Sequence, residues 1–251
     1  MKRVLITAGA SGIGEAMAHA FELEGSKVWI TDINPDYLNN CPQSWEKTHV
    51  DSSDEAGMRK LFSEIETHWG GLDAICANAG IAGPTAVVED IELNDWQRCV
   101  SVNLEGAFLA AKYGGPMLKE TKGAIVLTSS TAGIYGFPNR APYAAAKWAI
   151  IGLMKTLAME WGPSGVRANA ICPGAVEGPR MQGVMEREAT AKGTSYQNIY
   201  EGYAAGNSMQ SLVTAGDIAK MATFLCGSGA RMVSGQVIAV DGHTENPDPK
   251  V

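Results

Sequence analysis

Within its first 32 residues the chain commits itself to one kind of fold. Val4-Leu5-Ile6-Thr7 is a short apolar run of the type seen in parallel strands buried on both faces. Glycines at 9, 12 and 14 follow, then apolar residues at helical spacing (Ile13, Met17, Ala20, Phe21) that end near Gly25. Lys27 to Thr31 predicts a second strand with Asp32 at its C-terminal end. Strand, glycine turn, helix, strand and acid, in that order, predict a βαβ unit built for a dinucleotide. Backbone that approaches a pyrophosphate needs residues without a Cβ, and a helix N-terminus offers N–H donors and positive potential. Asp32 can accept hydrogen bonds from adenosine ribose hydroxyls and repels a 2′-phosphate, and Ser11 is not basic either. NAD(H) is therefore expected in preference to NADP(H).

The alternation continues along the chain. A polar stretch with Pro35 and Pro42 leads to a strand around Thr48-His49-Val50, then Asp51-Ser52-Ser53-Asp54. Asp54 is the expected N-cap of a helix to Trp69, closed by Gly70-Gly71. Leu72 to Cys76 predicts a strand with Ala77-Asn78-Ala79-Gly80 as its exit turn, and Asn94 is expected to cap a helix of about 20 residues carrying Asn103. Further strands are expected at Gly123–Thr128, Val166–Cys172 and Gln236–Val240, and further helices from Tyr143 to about Trp161 and over about 215–226, before a polar, proline-containing tail. Residues 177–212 lose periodicity and gather methionine and tyrosine. With no linker and no repeat, the expectation is an α/β fold. It is a single Rossmann-type doubly wound parallel sheet with helices on both faces, one domain over 1–251.

A net charge of −7, a pI near 5.2 and the lack of any basic run argue against nucleic acid or an anionic membrane as partner. Five cysteines, odd in number and without C-x-x-C, read as reduced thiols, and four histidines form no metal-ligand pattern with them. No apolar run approaches the roughly 18 residues of a membrane span. The N-terminus enters a strand with no room for a signal-peptide core, so a cytoplasmic location is expected.

Tyr143 and Lys147 stand four apart, which in a helix puts a phenol and an ammonium on one face. A nearby cation favours the phenolate and lowers the tyrosine pKa from its usual value of about 10. The predicted helix start adds positive potential. The pair is a candidate general acid/base.

Together these features resemble the short-chain dehydrogenase/reductase family, in its compact single-domain branch, over residues 1 to about 243. The family's entry motif T-G-x-x-x-G-x-G reads Thr7-Ala8-Gly9-Ala10-Ser11-Gly12-Ile13-Gly14, with Ala8 in place of the first glycine. Its N-N-A-G motif reads Ala77-Asn78-Ala79-Gly80, so Asn78 and Gly80 carry over and Ala77 does not. The resemblance implies cofactor contacts from Gly9, Ser11, Gly12, Ile13, Gly14, Asp32 and the adjoining Ile33. Asp51, with Ser52 beside it, would reach the adenine amino group, and Pro173, Gly174 and Val176 would pack near the nicotinamide. Gly178 replaces a common threonine, and His243 stands where relatives often have glycine.

Family members also pair Y-x-x-x-K with a serine about 13 residues upstream and an asparagine on the preceding long helix. The count lands on Ser130, with Ser129 adjacent, and the asparagine matches Asn103. The implied roles are Tyr143 as acid/base, Ser130 as donor to the substrate oxygen, Lys147 as pKa modifier and ribose ligand, and Asn103 as holder of a relay water. The expected activity is NAD-dependent hydride transfer between nicotinamide and a small secondary alcohol or ketone. The alternatives are an epimerase or dehydratase on the same fold, whose relatives are usually longer, and a catalytically silent nucleotide-binding protein. Residues 177–212 correspond to a mobile substrate lid, with Met181, Met185, Tyr196, Tyr200, Tyr203 and Met209 as candidates for an apolar wall. Arg180, near Arg140 and Arg187, is a candidate fork for a substrate carboxylate or sulfonate. The family further implies a homotetramer or homodimer, pairing through helices at about 95–113 and 143–161.

Overall fold

The computed structural model describes residues 1–246, and over them the expected alternation becomes one sheet. The strands are β1 (Arg3–Ile6), β2 (Lys27–Asp32), β3 (Glu46–His49), β4 (Ala74–Ala77), β5 (Ala124–Thr128), β6 (Arg167–Pro173) and β7 (Val237–Val240). All neighbours run parallel, in the order β3-β2-β1-β4-β5-β6-β7. The helices are α1 (Gly12–Leu23), α2 (Pro35–Asn40), α3 (Glu55–Trp69), α4 (Leu93–Val100), α5 (Gly106–Thr121), α6 (Ala141–Trp161), α7 (Pro179–Lys192), α8 (Tyr196–Ala205) and α9 (Ala215–Cys226).

The period of two along each strand sends alternate side chains to opposite faces. Leu5, Ile75, Ile125 and Leu127 pack with residues of α3, α5 and α6, whereas Val4, Ile6, Cys76, Ala124 and Val126 pack with those of α1 and α9. Burying both faces explains why these strands are continuous apolar runs. Each large side chain such as Phe21 or Ile125, fully enclosed, contributes about 1.5–3 kcal/mol. Asp54 caps α3 as expected, accepting from the Ala56 N–H, and Gly70 closes it in the left-handed conformation.

The structure departs from expectation in four places. The polar stretch after β2 holds the short helix α2, whose N-cap Asn34 accepts from Asp36 and Tyr37 N–H groups and whose first residue is Pro35. Asn94 is not a cap: α4 starts at Leu93 behind Glu92, which makes no side-chain cap bond. The helix carrying Asn103 is longer than about 20 residues and is broken by a π-helical turn, Ser101–Glu105, where Gly106 N–H donates five residues back to the Ser101 carbonyl. Residues 177–212, aperiodic in sequence, contain α7 and α8, which share a small core of Met185, Ala189, Ile199 and Leu212. The tail from residue 247 lies outside the described residues.

Two departures from the family's pattern have a backbone explanation. His243, at a position where relatives often carry glycine, has φ +65°, and Gly178 has φ +138°, open only to glycine. His243 Nδ1 lies 2.5 Å from Ser208 Oγ, in a segment that bridges Asn207 to Thr244 and so anchors the end of α8.

Candidate active site

In an open parallel sheet, ligands bind outside the C-terminal strand ends where the strand order reverses. That reversal falls between β1 and β4. A cleft of about 830 Å³ opens there, lined from the first turn of α1 through Asn78, Ser130, Tyr143 and Gly174 to α7. Thr7 and Asn78 lock its floor: Thr7 Oγ1 accepts from the N–H groups of Asn78 and Ala79, both at 3.0 Å. The Asn78 side chain donates to the carbonyls of Thr7 and Ala8 at 3.2 and 3.3 Å.

The three glycines of the entry turn do different work. Gly12 has φ +53° and open space where a Cβ would be, so it serves the turn and access to the cleft. A Cβ on Gly9 would lie 2.6 Å from Ile30 Cγ2, and one on Gly14 would lie 2.0 Å from the Ala8 carbonyl oxygen, so these two serve packing of the turn and α1. Ala8, in place of the family's first glycine, holds φ +50°. Ser11, the N-cap of α1, makes no side-chain cap bond, and Ser11, Gly12 and Ile13 all line the cleft. The first-turn N–H groups of α1 thus form an anion site suited to a pyrophosphate.

Of the other expected cofactor residues, Asn78, Gly80, Tyr143, Lys147, Pro173, Gly174 and Val176 line this cleft. Gly9, Gly14, Asp32, Ile33, Asp51, Ser52 and Asn103 do not line it. Asp32 is buried at the end of β2, with Oδ1 accepting from Asn34 N–H at 2.9 Å, beside an exposed Ile33. Asp51 accepts from Ser53 and pairs with Arg98 at 3.0 Å; despite partial burial, those bonds hold its pKa below the usual carboxylate value. Ser52 packs against Gly106 of α5. Glu15 and Tyr37 line the same end of the cleft and were not expected from the sequence.

The candidate catalytic residues converge. Tyr143, in the first turn of α6, is half-buried, and Lys147 Nζ lies 5.6 Å from its ring centroid. Burial pushes the phenol's pKa up, but Lys147, Arg180, a hydrogen bond with Ser130 and Arg140 together carry it below its ordinary value. Lys147 is 2% exposed and donates to the Thr128 carbonyl at 2.8 Å; burial lowers its own pKa. The two serines face different ways. Ser129 Oγ donates to the Lys147 carbonyl at 2.7 Å, while Ser130 lines the cleft and meets Tyr143.

Asn103 sits in the π-helical turn, a local widening common at functional sites. Its amide donates to the carbonyls of Ile81 and Cys99, and its Oδ1 is buried without a protein partner. A Cβ on Gly80 would lie 2.5 Å from that oxygen and 3.3 Å from Lys147 Nζ, which places both groups against the same side of Gly80.

At the substrate end the expected apolar wall is only partly formed. Met181 and Tyr203 line the cleft, whereas Met185 is buried in the α7–α8 core, Tyr196 lies against Tyr200, and Met209 is 75% exposed. Phe137, which stacks on Tyr203 at 6.5 Å, and Val184 complete the wall. Neither was foreseen, since a lone phenylalanine in a loop carries no periodic signal. Arg180 lines the cleft and donates to the Gly80 carbonyl at 3.2 Å, and Arg140 lines it from the start of α6. Among the described residues no helix is long and apolar enough to cross a membrane, and no group of three or more His, Cys, Asp or Glu could hold a metal ion.

Comparison with known proteins gives a consistent picture. A family model described as enoyl-(acyl carrier protein) reductase matches residues 7–243. The chain is 35% identical to (+)-borneol dehydrogenase 1 of Salvia officinalis, over 96% of this chain and 92% of that one. It is 31% identical to meso-2,3-butanediol dehydrogenase of Serratia marcescens, over 100% and 98%. The crystal structure of an NAD+-bound xylitol dehydrogenase superposes with a TM-score of 0.92 at 27% identity, covering 96% of this chain and 98% of that one.

Proposed function

The chain belongs to the short-chain dehydrogenase/reductase family, and on that premise we propose that it is an NAD-dependent oxidoreductase interconverting a small secondary alcohol and its ketone. The carrying observation is the convergence of Tyr143, Lys147 and Ser130 on one cleft that begins at the N-terminus of α1. The residues present fit a nicotinamide dinucleotide: open N–H donors at α1, Asp32 at the end of β2, and buried Lys147 beside Gly80. NAD rather than NADP is supported by an adenosine end that carries Glu15 and Asp32 with Ser11 and Tyr37, where a 2′-phosphate would meet negative charge.

When bound, the nicotinamide supplies the hydride acceptor or donor. Tyr143 as phenolate takes the alcohol proton in oxidation, and as phenol returns it to the alkoxide in reduction. Ser130 donates to the same oxygen, where negative charge develops. Lys147 holds the phenolate form and reaches ribose hydroxyls, while the free Oδ1 of Asn103 suits a water linking Lys147 to solvent. Helices α7 and α8 act as the substrate lid over this centre. Leu93, Phe108, Trp148 and Met159, all exposed on α4, α5 and α6, suit an oligomer built through those helices; light scattering would measure its mass.

Tyr143→Phe should keep NADH binding, read by fluorescence titration, and lose about 10²–10⁴-fold in turnover. Wild-type activity in that variant would refute the assignment. The cofactor is tested by kcat/KM for NAD against NADP in wild type and Asp32→Ala, where removal of the carboxylate should erode the preference.

A further inference from the structure

Arg140 is a buried cation whose effect on Tyr143 does not account for its unsatisfied Nε. It is only 7% exposed, its Nη2 donates to the Ala82 carbonyl at 2.9 Å, and its Nε is enclosed with no acceptor. Its guanidinium lies 5.0 Å from the Tyr143 ring centroid. The titratable groups acting on it are the phenols of Tyr143 and Tyr203 and the cations of Arg180 and Arg187, with no carboxylate among them. Burying an ion costs several kcal/mol even after relaxation, and an unpaired one recovers little of that. The residue is also held in place: Asn139 before it has φ +59° and accepts from Ala86 N–H, and the Arg140 carbonyl accepts the Ala144 N–H of α6.

We propose that Arg140, together with Arg180, forms a carboxylate-binding subsite, and that the substrate is a hydroxy acid or the corresponding oxo acid. This rests on the reading of the chain as an alcohol–ketone oxidoreductase. A carboxylate would bring the missing acceptors to Arg140 and offset two cations of the cleft at once. Phe137, Met181, Val184 and Tyr203 line the same cleft and would cover the carbon skeleton between the carboxylate and the carbinol. The carboxylate is unchanged in the reaction. The carbinol C–H leaves as hydride to NAD+, the O–H proton passes to Tyr143, and the C=O bond forms.

The test uses matched pairs with NAD: 3-hydroxybutyrate and its methyl ester, and 4-hydroxycyclohexanecarboxylate and its methyl ester. Wild-type enzyme should favour an acid over its ester in kcat/KM by tenfold or more. Arg140→Gln should cut the acid-to-ester ratio about 10- to 100-fold, and Arg180→Gln should cut it too. Because Arg140→Gln could disturb folding, inhibition of wild-type enzyme by butyrate is compared with butyramide, and butyrate should bind at least tenfold tighter. Turnover of the esters with no preference for acids, ratios unmoved in both variants, or equal inhibition by the two butyryl compounds would overturn the subsite and leave the oxidoreductase reading standing. Absence of turnover on every member of both pairs and on neutral alcohols and ketones would overturn that reading, and the subsite with it.

Discussion

Ala8→Gly should stabilise the protein although it removes a methyl group. Ala8 holds φ +50°, a region that costs an L-residue about 1–2 kcal/mol and glycine almost nothing. Against that relief, glycine adds roughly 0.4–1 kcal/mol of unfolded-state entropy. Losing a half-buried methyl costs about 0.4 kcal/mol, half the value for a fully buried one. The balance is a gain of about 0.5 kcal/mol, which for a domain of this size raises Tm by about 1–2 °C. Ala8→Val is the control, since a β-branched side chain is least tolerated at positive φ, and it should lower Tm by several degrees. Scanning calorimetry of the three proteins at one protein concentration, without nucleotide, measures both. A lower Tm for Ala8→Gly than for wild type, or no loss in Ala8→Val, would show that the turn is not strained at this residue.

Gly14→Ala should be far worse than its single methyl suggests. The new Cβ would sit 2.0 Å from the Ala8 carbonyl oxygen and 2.9 Å from Asn78 Nδ2, so α1 must retreat from the entry turn; loss of NADH binding at unchanged protein concentration, read by fluorescence, is the expected result. The pH profile of alcohol oxidation tests the cations around Tyr143. Their removal disfavours the phenolate and raises its pKa, so the rising limb in Arg180→Gln should move to higher pH than in wild type. A limb that stays in place or moves to lower pH would mean that Arg180 does not act on Tyr143.

Much of this site was legible because its residues lie at positions fixed by local rules. Gly9, Gly12 and Gly14 mark a turn that backbone sterics demand, and helical spacing puts Tyr143 and Lys147 on one face, a pairing that gains meaning only beside the nucleotide-binding pattern of the rest of the chain. Counting favours Ser130 over the adjacent Ser129, and one hydrogen bond, from Ser129 Oγ to the Lys147 carbonyl, commits the Ser129 hydroxyl elsewhere. The π-helical turn at Asn103 was invisible, because Ser101–Glu105 contains no glycine or proline to signal a break in the helix. The residues 177–212 were obscure for a different reason. Helices α7 and α8 bury little beyond their own small core, so their sequences carry no strong apolar stripe. Arg140 could be named from its place in the chain, but its burial is a tertiary fact, seen in its bond to the Ala82 carbonyl and its place against the Tyr143 ring.

The hydrogen bonds divide the site into a half tied twice and a half held by a single exposed bond. Lys147 Nζ holds the Thr128 carbonyl and Ser129 Oγ holds the Lys147 carbonyl, so α6 is tied twice to the end of β5 and the spacing of Tyr143 from Ser130 is set by residues other than those two. Helix α7 reaches this frame through Arg180, whose contact with the Gly80 carbonyl, at 3.2 Å, is a single exposed hydrogen bond. Such a bond contributes little to stability and can open readily. Yet Arg180 is among the groups that lower the Tyr143 pKa. On the lid reading, closing α7 therefore does more than cover the substrate: it brings up a positive charge that makes the phenol a stronger acid, and opening it withdraws that charge. The acidity of Tyr143 and the position of the lid are then one coupled variable, and a substrate carboxylate bound to Arg180 would hold the lid shut while screening the charge that the tyrosine feels.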